Sequence, residues 1–221
     1  PLGGLALTPN LARLSSQGMW FENLYATGTR SVRGIEAVTT GFLPTPGRSV
    51  VKLGGFGKPF FTLAGYLKRF GYTSLFVYGG ESHFDNMRGF FLGNGFDRVV
   101  DEKDFDQWVF KGTWGVSDED LFARAHREFE KYGDQPFIGL IFTSSYHSPF
   151  EFPEDRLKPE EMSDNPEHNA IRYADYALGR FFAMARGSSY GERTIFLVAA
   201  DHDNRVRGAD LVPIQHFHIP G

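Results

Sequence analysis

The sequence predicts an α/β fold: three layers, α/β/α, around a mainly parallel sheet. Two observations carry this. Helical and apolar-strand patterns alternate along the 221 residues, and the strand runs are short and continuously apolar, as in a parallel sheet covered on both faces. Apolar positions at Leu63, Leu67 and Phe70 keep helical spacing, Gly71 closes that turn, and 72–78 read as a strand. Ser117 with Asp120 is a capping-box pattern opening a helix through about Tyr132 and ending at Gly133. The run 137–143 is the next strand. A third helix spans 169–186, with Ile171, Ala174, Leu178 and Phe182 on one face, and 195–200 follow as a buried strand. Two long loops, 42–58 and 151–167, are rich in Pro with Gly or acids, as loops bordering active sites often are.

Composition supports one domain over residues 1–221, with 41% hydrophobic and 23% charged residues. A net charge of −4 disfavours nucleic acid as a partner, which needs a basic face to displace counterions. No cysteine is present, which excludes disulfides, thiolate metal sites and cysteine nucleophiles. No apolar run reaches membrane-span length, and Pro1-Leu2-Gly3-Gly4 has no signal-like character. Both ends fall in mid-pattern, so a piece of a longer protein is expected.

If the strands are parallel, three polar clusters meet on one edge of the sheet: Tyr78-Gly79-Gly80-Glu81, Thr143 to His147, and Asp201-His202. Such an edge is where open α/β sheets bind ligands. An acid beside an imidazole at the end of an apolar strand points to a metal site.

Thr8-Pro9-Asn10-Leu11, Gly28-Thr29-Arg30-Ser31-Val32-Arg33-Gly34-Ile35-Glu36-Ala37 and Ala200-Asp201-His202 follow one another in a characteristic order. So do Tyr78-Gly79-Gly80, Phe84-Asp85-Asn86-Met87, Trp114 to Asp120, and Ser145-Tyr146-His147-Ser148-Pro149. In these motifs the chain resembles the sulfatase-like branch of the alkaline phosphatase superfamily, and within it the lipoteichoic acid synthase and phosphoglycerol transferase group. The resemblance implies an alkaline phosphatase-like fold lacking its first strand and its C-terminal part. It implies a membrane-anchored bacterial enzyme whose extracytoplasmic domain transfers phosphoglycerol from a phospholipid through a covalent intermediate. The anchor would precede Pro1, as would a carboxylate ligand of the metal.

The family nucleophile is a threonine hydroxyl that also binds one divalent metal; the matching position here is Ser31. Asp201 and His202 would complete a set with Ser31 that suits Zn or Mn and tolerates Mg less well. Excess charge on a transferring phosphodiester calls for cations, for which Arg30, Arg33 and His147 are candidates. By resemblance, His147 binds substrate or gives a proton to the leaving alcohol. Arg88 and His218 are further substrate-binding candidates. Ser31-Val32-Arg33-Gly34-Ile35 lacks the Pro and Arg required for formylglycine maturation, which disfavours a true sulfatase.

Each assignment has a structural competitor: Ser31 as the cap of a helix starting near Val32, Asp201-His202 as a turn, His147 bonded within its own loop, and Trp114 to Asp120 as a cap and packing motif. Of His216 and His218, one is expected to face the site and neither to touch metal. Gly79-Gly80 are expected to permit a tight turn. Two alternative functions stay open: hydrolysis of a sulfuric or phosphoric ester, and non-catalytic binding of a glycan or head group.

Overall fold

The computed structural model describes residues 6–54, 59–203, 209–210 and 213–221. The opening of the chain and residues 55–58 of the first long loop lie outside the described residues.

Three parallel strands form the sheet: β1 (Thr73–Tyr78) lies between β2 (Arg98–Val100) and β5 (Phe137–Phe142). Phe76 faces Val99 on one side and Leu140 on the other. A short antiparallel hairpin joins β3 (Lys111–Gly112) to β4 (Gly115–Val116). Alternate residues of β1 enter two separate cores, as the period of two in a strand requires. Leu75 and Val77 pack with Leu121, Phe122 and Ala125 of α5 (Asp118–Glu130) and with Ala177 and Phe181 of α6 (Pro166–Arg186). Phe76 and Tyr78 pack on the opposite face with Val32 and Ile35 of α2 (Ser31–Thr40) and with Phe90 and Phe91 of α4 (Met87–Gly93). The three-layer α/β/α architecture follows from that alternation. α1 (Pro9–Ser15) and α3 (Leu63–Leu67) complete the helices.

The helix-strand units lie where the periodicity puts them, with two differences. α6 begins at Pro166, where the Asn165 side chain accepts from the Glu167 amide, and its buried stripe runs through Ala170, Tyr173, Ala177, Phe181 and Ala185. That stripe is rotated by one residue from the expected 171, 174, 178 and 182. Small alanines bring α6 close to α5, and Leu178 and Phe182 pack along the flank of the same core. Residues 195–200 are not a buried strand. Among the described residues no strand pairs with them; Ile195 is 97% exposed and Leu197 66% exposed. The half-buried face holds Phe196 against Phe182, ring centroids 5.0 Å apart, and the Ala200 amide donates to the Pro220 carbonyl at 3.1 Å.

The Thr-Pro-Asn-Leu segment is explained by α6. Asp175 accepts from the amides of Asn10 (2.9 Å) and Leu11 (2.8 Å), satisfying donors at the start of α1. Glu128, 1% exposed on α5, collects Arg98 at 2.6 Å and Arg124 and Lys131 at 2.9 Å. Burial would raise the Glu128 pKa, but hydrogen bonds from Lys131 and Arg98, with their charges, outweigh it and hold the carboxyl below its ordinary value. A depressed folded pKa gives stability that is present above the unfolded carboxylate pKa and is lost as pH falls through the folded one. Glu128→Gln is therefore expected to cost about 2 kcal/mol or more near neutral pH. Urea unfolding from pH 7 to 3 should show the gap between the two proteins closing as pH falls.

Candidate active site

Ser31 is the first residue of α2, not its cap. The residue ahead of the helix is Arg30, extended at φ −144° and ψ 146°, and no side chain caps this end. The Ser31 hydroxyl turns instead toward His202, with Oγ 3.3 Å from Nε2. Nδ1 of His202 lies 2.6 Å from the Asp203 carbonyl. A carbonyl only accepts, so Nδ1 carries a proton and Nε2 is the nitrogen turned toward Ser31. Asp201 Oδ2 is 3.3 Å from the same Nε2, and Oδ1 of Asp201 accepts from the His202 amide at 3.0 Å.

Gly34 permits this meeting. A Cβ there would lie 2.5 Å from Asp201 Cβ and 2.7 Å from Asp201 Cα and carbonyl oxygen. The missing side chain lets the 201–202 backbone rest directly on the first turn of α2. Glycine is needed here for close approach.

A hydroxyl oxygen, a carboxylate oxygen and an imidazole nitrogen thus converge at the positive end of a helix dipole. His202 Nε2 lies 3.3 Å from both Ser31 Oγ and Asp201 Oδ2, and hydroxyl, carboxylate and imidazole are donor types that suit a divalent ion of the Zn or Mn kind. Ser31, Asp201 and His202 could hold a divalent cation. Among the described residues, no three His, Asp or Glu side chains gather around one point.

The other candidates are placed as follows. Arg33 is spoken for: it bridges Glu36 at 2.8 Å and donates to the carbonyls of Thr45 (2.9 Å) and Gly47, tying the 42–49 loop to α2. Arg88 pairs with Asp101 at 3.4 Å, and Asp101 also accepts from Ser82. Arg30 is exposed, and its guanidinium has no partner among the described residues. His218 stacks on Tyr25 and lies 2.7 Å from the Glu22 carbonyl; none of its described contacts is to Ser31, Asp201 or His202. His216 Nδ1 lies 3.1 Å from Oδ2 of Asp203, the residue after His202.

His147 lies on the loop leaving β5. β1 and β5 run parallel with Tyr78 beside Phe142, so residues 79–81 and 143–147 emerge at one edge. The Tyr146 phenol donates to Glu167 at 2.7 Å. Its pKa is raised by burial first, then by Glu167 and by the charge of Asp203. His147 stands beside Trp114, ring centroids 4.2 Å apart, in a shallow cleft also lined by Thr113, Ser144 and Glu151. The role of Gly79-Gly80 is packing: a Cβ on Gly79 would lie 2.8 Å from the Val116 carbonyl, and one on Gly80 2.6 Å from the Trp114 carbonyl. Sequence reasoning passed over Gly34 and Asp118. The glycine inside an otherwise helical run was the available signal for the first.

The family model described as Sulfatase matches residues 3–220. Phosphoglycerol transferase I of Xanthomonas euvesicatoria pv. vesicatoria (strain 85-10) is 31% identical over 212 residues, which cover 89% of this chain and 30% of that protein. A crystal structure of a protein in the alkaline phosphatase superfamily from Vibrio parahaemolyticus is 57% identical, with a TM-score of 0.92 over 99% of this chain and 54% of its own. Lipoteichoic acid synthase LtaP from Listeria monocytogenes shares the fold at 22% identity, with a TM-score of 0.84 over 100% of this chain and 60% of its own. Phosphoglycerol transferase GacH from Streptococcus pyogenes, in complex with sn-glycerol-1-phosphate, shares it at 14% identity, with a TM-score of 0.63 over 96% of this chain and 59% of its own. The chain spans less than two thirds of the length of each. Its fold is alkaline phosphatase-like, and the chain belongs to the Sulfatase family, in the alkaline phosphatase superfamily, as a relative of the phosphoglycerol transferases.

Proposed function

We propose that this chain is the catalytic domain of a metal-dependent phosphoglycerol transferase that takes its head group from a phospholipid and passes it through a covalent adduct on Ser31. The observation that carries the reading is the convergence of Ser31 Oγ, His202 Nε2 and Asp201 Oδ2 at the start of α2, with neighbouring donors 3.3 Å apart. A relative 31% identical is a phosphoglycerol transferase by name, and GacH was solved with a glycerol phosphate. A divalent ion of the Mn or Zn kind, when bound by Ser31, Asp201 and His202, supplies positive charge that favours the ionised hydroxyl and offsets the charge of the phosphodiester.

The chain's own residues do the rest. Ser31 Oγ, having lost its proton to solvent, attacks phosphorus. The bond to the lipid alcohol breaks, and His147 gives the departing oxygen a proton. The acceptor alcohol then attacks the Ser31 adduct, returning its proton to His147 and freeing Ser31. Arg30, with its guanidinium uncommitted, is placed to balance charge on non-bridging oxygens. Arg33 and Arg88 act at one remove, through the loops and carboxylates they hold. The site works at the outer face of a bacterial membrane, where the phospholipid head groups lie; among the described residues no helix is long and apolar enough to cross a membrane.

The test is product analysis with the full-length protein and phosphatidylglycerol vesicles. Diacylglycerol should be released with Mn²⁺ and not with excess chelator, with glycerol phosphate recovered on an acceptor or on the protein. Cleavage of aryl sulfates alone would replace this reading with ester hydrolysis.

A further inference from the structure

Residues 144–151, which carry His147, have no regular structure, and Phe150 sits at φ +67°. A loop of this kind holds one conformation only where its surroundings over-determine it. Here three separate ties run to one short segment, 113–118. Asp118, 1% exposed, accepts from the amides of Ser144 and Ser145, both at 3.0 Å, while its own amide donates to Ser145 Oγ at 3.0 Å. Trp114 Nε1 donates to the Ser148 carbonyl at 2.8 Å, and the Thr113 amide donates to Glu151 at 2.7 Å.

The segment is itself fixed. Its Gly115-Val116 backbone lies on Gly79-Gly80, with the Val116 amide donating to the Gly79 carbonyl at 3.0 Å. Asp120 accepts from Val109 (2.8 Å) and Phe110 (3.1 Å), closing the hairpin against the start of α5.

The Ser148 carbonyl also receives Nδ1 of His147 at 2.9 Å. Since that carbonyl only accepts, Nδ1 is the donor and Nε2 is the nitrogen left for chemistry. Trp114 therefore grips the acceptor that orients His147, and it flanks the ring itself.

We infer that Trp114 and Asp118 are positioning residues for His147, holding the 144–151 loop so that Nε2 delivers the proton to the departing alcohol. The inference rests on the proposed function. As the Ser31 Oγ–P bond forms, the P–O bond to the lipid alcohol breaks, its electron pair stays on that oxygen, and the His147 Nε2 proton transfers to it. A leaving group that is stable as an anion needs no such proton.

That difference provides the test. The full-length Mn²⁺-loaded protein is assayed with phosphatidylglycerol, which releases an alcohol, and with a glycerophosphodiester of p-nitrophenol, which releases a stable phenolate. H147A, W114F and D118A are expected to lose tenfold or more in kcat on the lipid and less than threefold on the p-nitrophenyl ester. D118N, whose side-chain oxygen still accepts both amides, should recover most of the lipid activity. Equal losses on both substrates in W114F and D118A, or no loss on the lipid, with H147A still selective, would overturn the positioning role alone. If H147A shows no selectivity, the proton-donor assignment falls and the positioning role falls with it. W114F and D118N keep the comparison decisive should D118A fail to fold.

Discussion

Ser31→Ala is expected to reduce turnover by ~10⁴-fold or more, as loss of a covalent nucleophile does, and to leave no phosphoglycerol adduct on the protein by intact mass. Folding should be nearly untouched. The Ser31 hydroxyl caps nothing in α2, and its described bond is to His202, so its loss removes no helix-end bond that the fold depends on. Alanine is also a better helix former than serine. Ser31→Thr restores an oxygen in the same place and is expected to keep measurable activity with an adduct at position 31. Undiminished turnover in the alanine variant would remove Ser31 as nucleophile and leave the site as a binding centre.

Gly34→Ala is expected to lower activity ~10²-fold without removing any functional group. The added methyl would meet Asp201 at 2.5 Å, about 1 Å inside ordinary contact, and what it meets is backbone and Cβ rather than a flexible tip. Either α2 or the 201–202 segment must move, and a misplacement near 1 Å can cost on the order of 10²-fold in rate. Helix propensity alone would favour alanine by ~1 kcal/mol, while overpacking costs about 1–3 kcal/mol, so the net change in stability should be small beside the loss of rate. Titration calorimetry should show weakened Mn²⁺ binding in the same variant. A Gly34→Ala protein with native turnover and native metal affinity would show that Asp201 and His202 do not act together with Ser31.

Local chemistry accounts for much of the architecture. β1 and β5 are legible because each is a short, continuously apolar run between a helix and a turn, and α5 is legible because Ser117 supplies its cap. Asp201 and His202 could be picked out as an acid beside an imidazole after an apolar run, and Ser31 by its place in the motif order of the family it resembles. Their meeting could not be read, because 171 residues separate Ser31 from His202 and only the packing of 201–202 onto Gly34 brings them together. The arginines show the same limit. Arg30 and Arg33 are three residues apart, yet Glu36 and the carbonyls of Thr45 and Gly47 engage one guanidinium while the other has no partner among the described residues. Residues 195–200 read as a buried strand from their apolar run, but burial depends on a partner strand, and none pairs with them among the described residues. Asp118 is the clearest case. In the chain it is one acid of three at a helix start, and what makes it an anchor is that β5 ends directly above it and delivers two amides to its carboxylate. Periodicity and caps are short-range properties that a chain carries along its length, whereas the partner of each charged or hydrogen-bonding group is chosen by which distant segment folds against it.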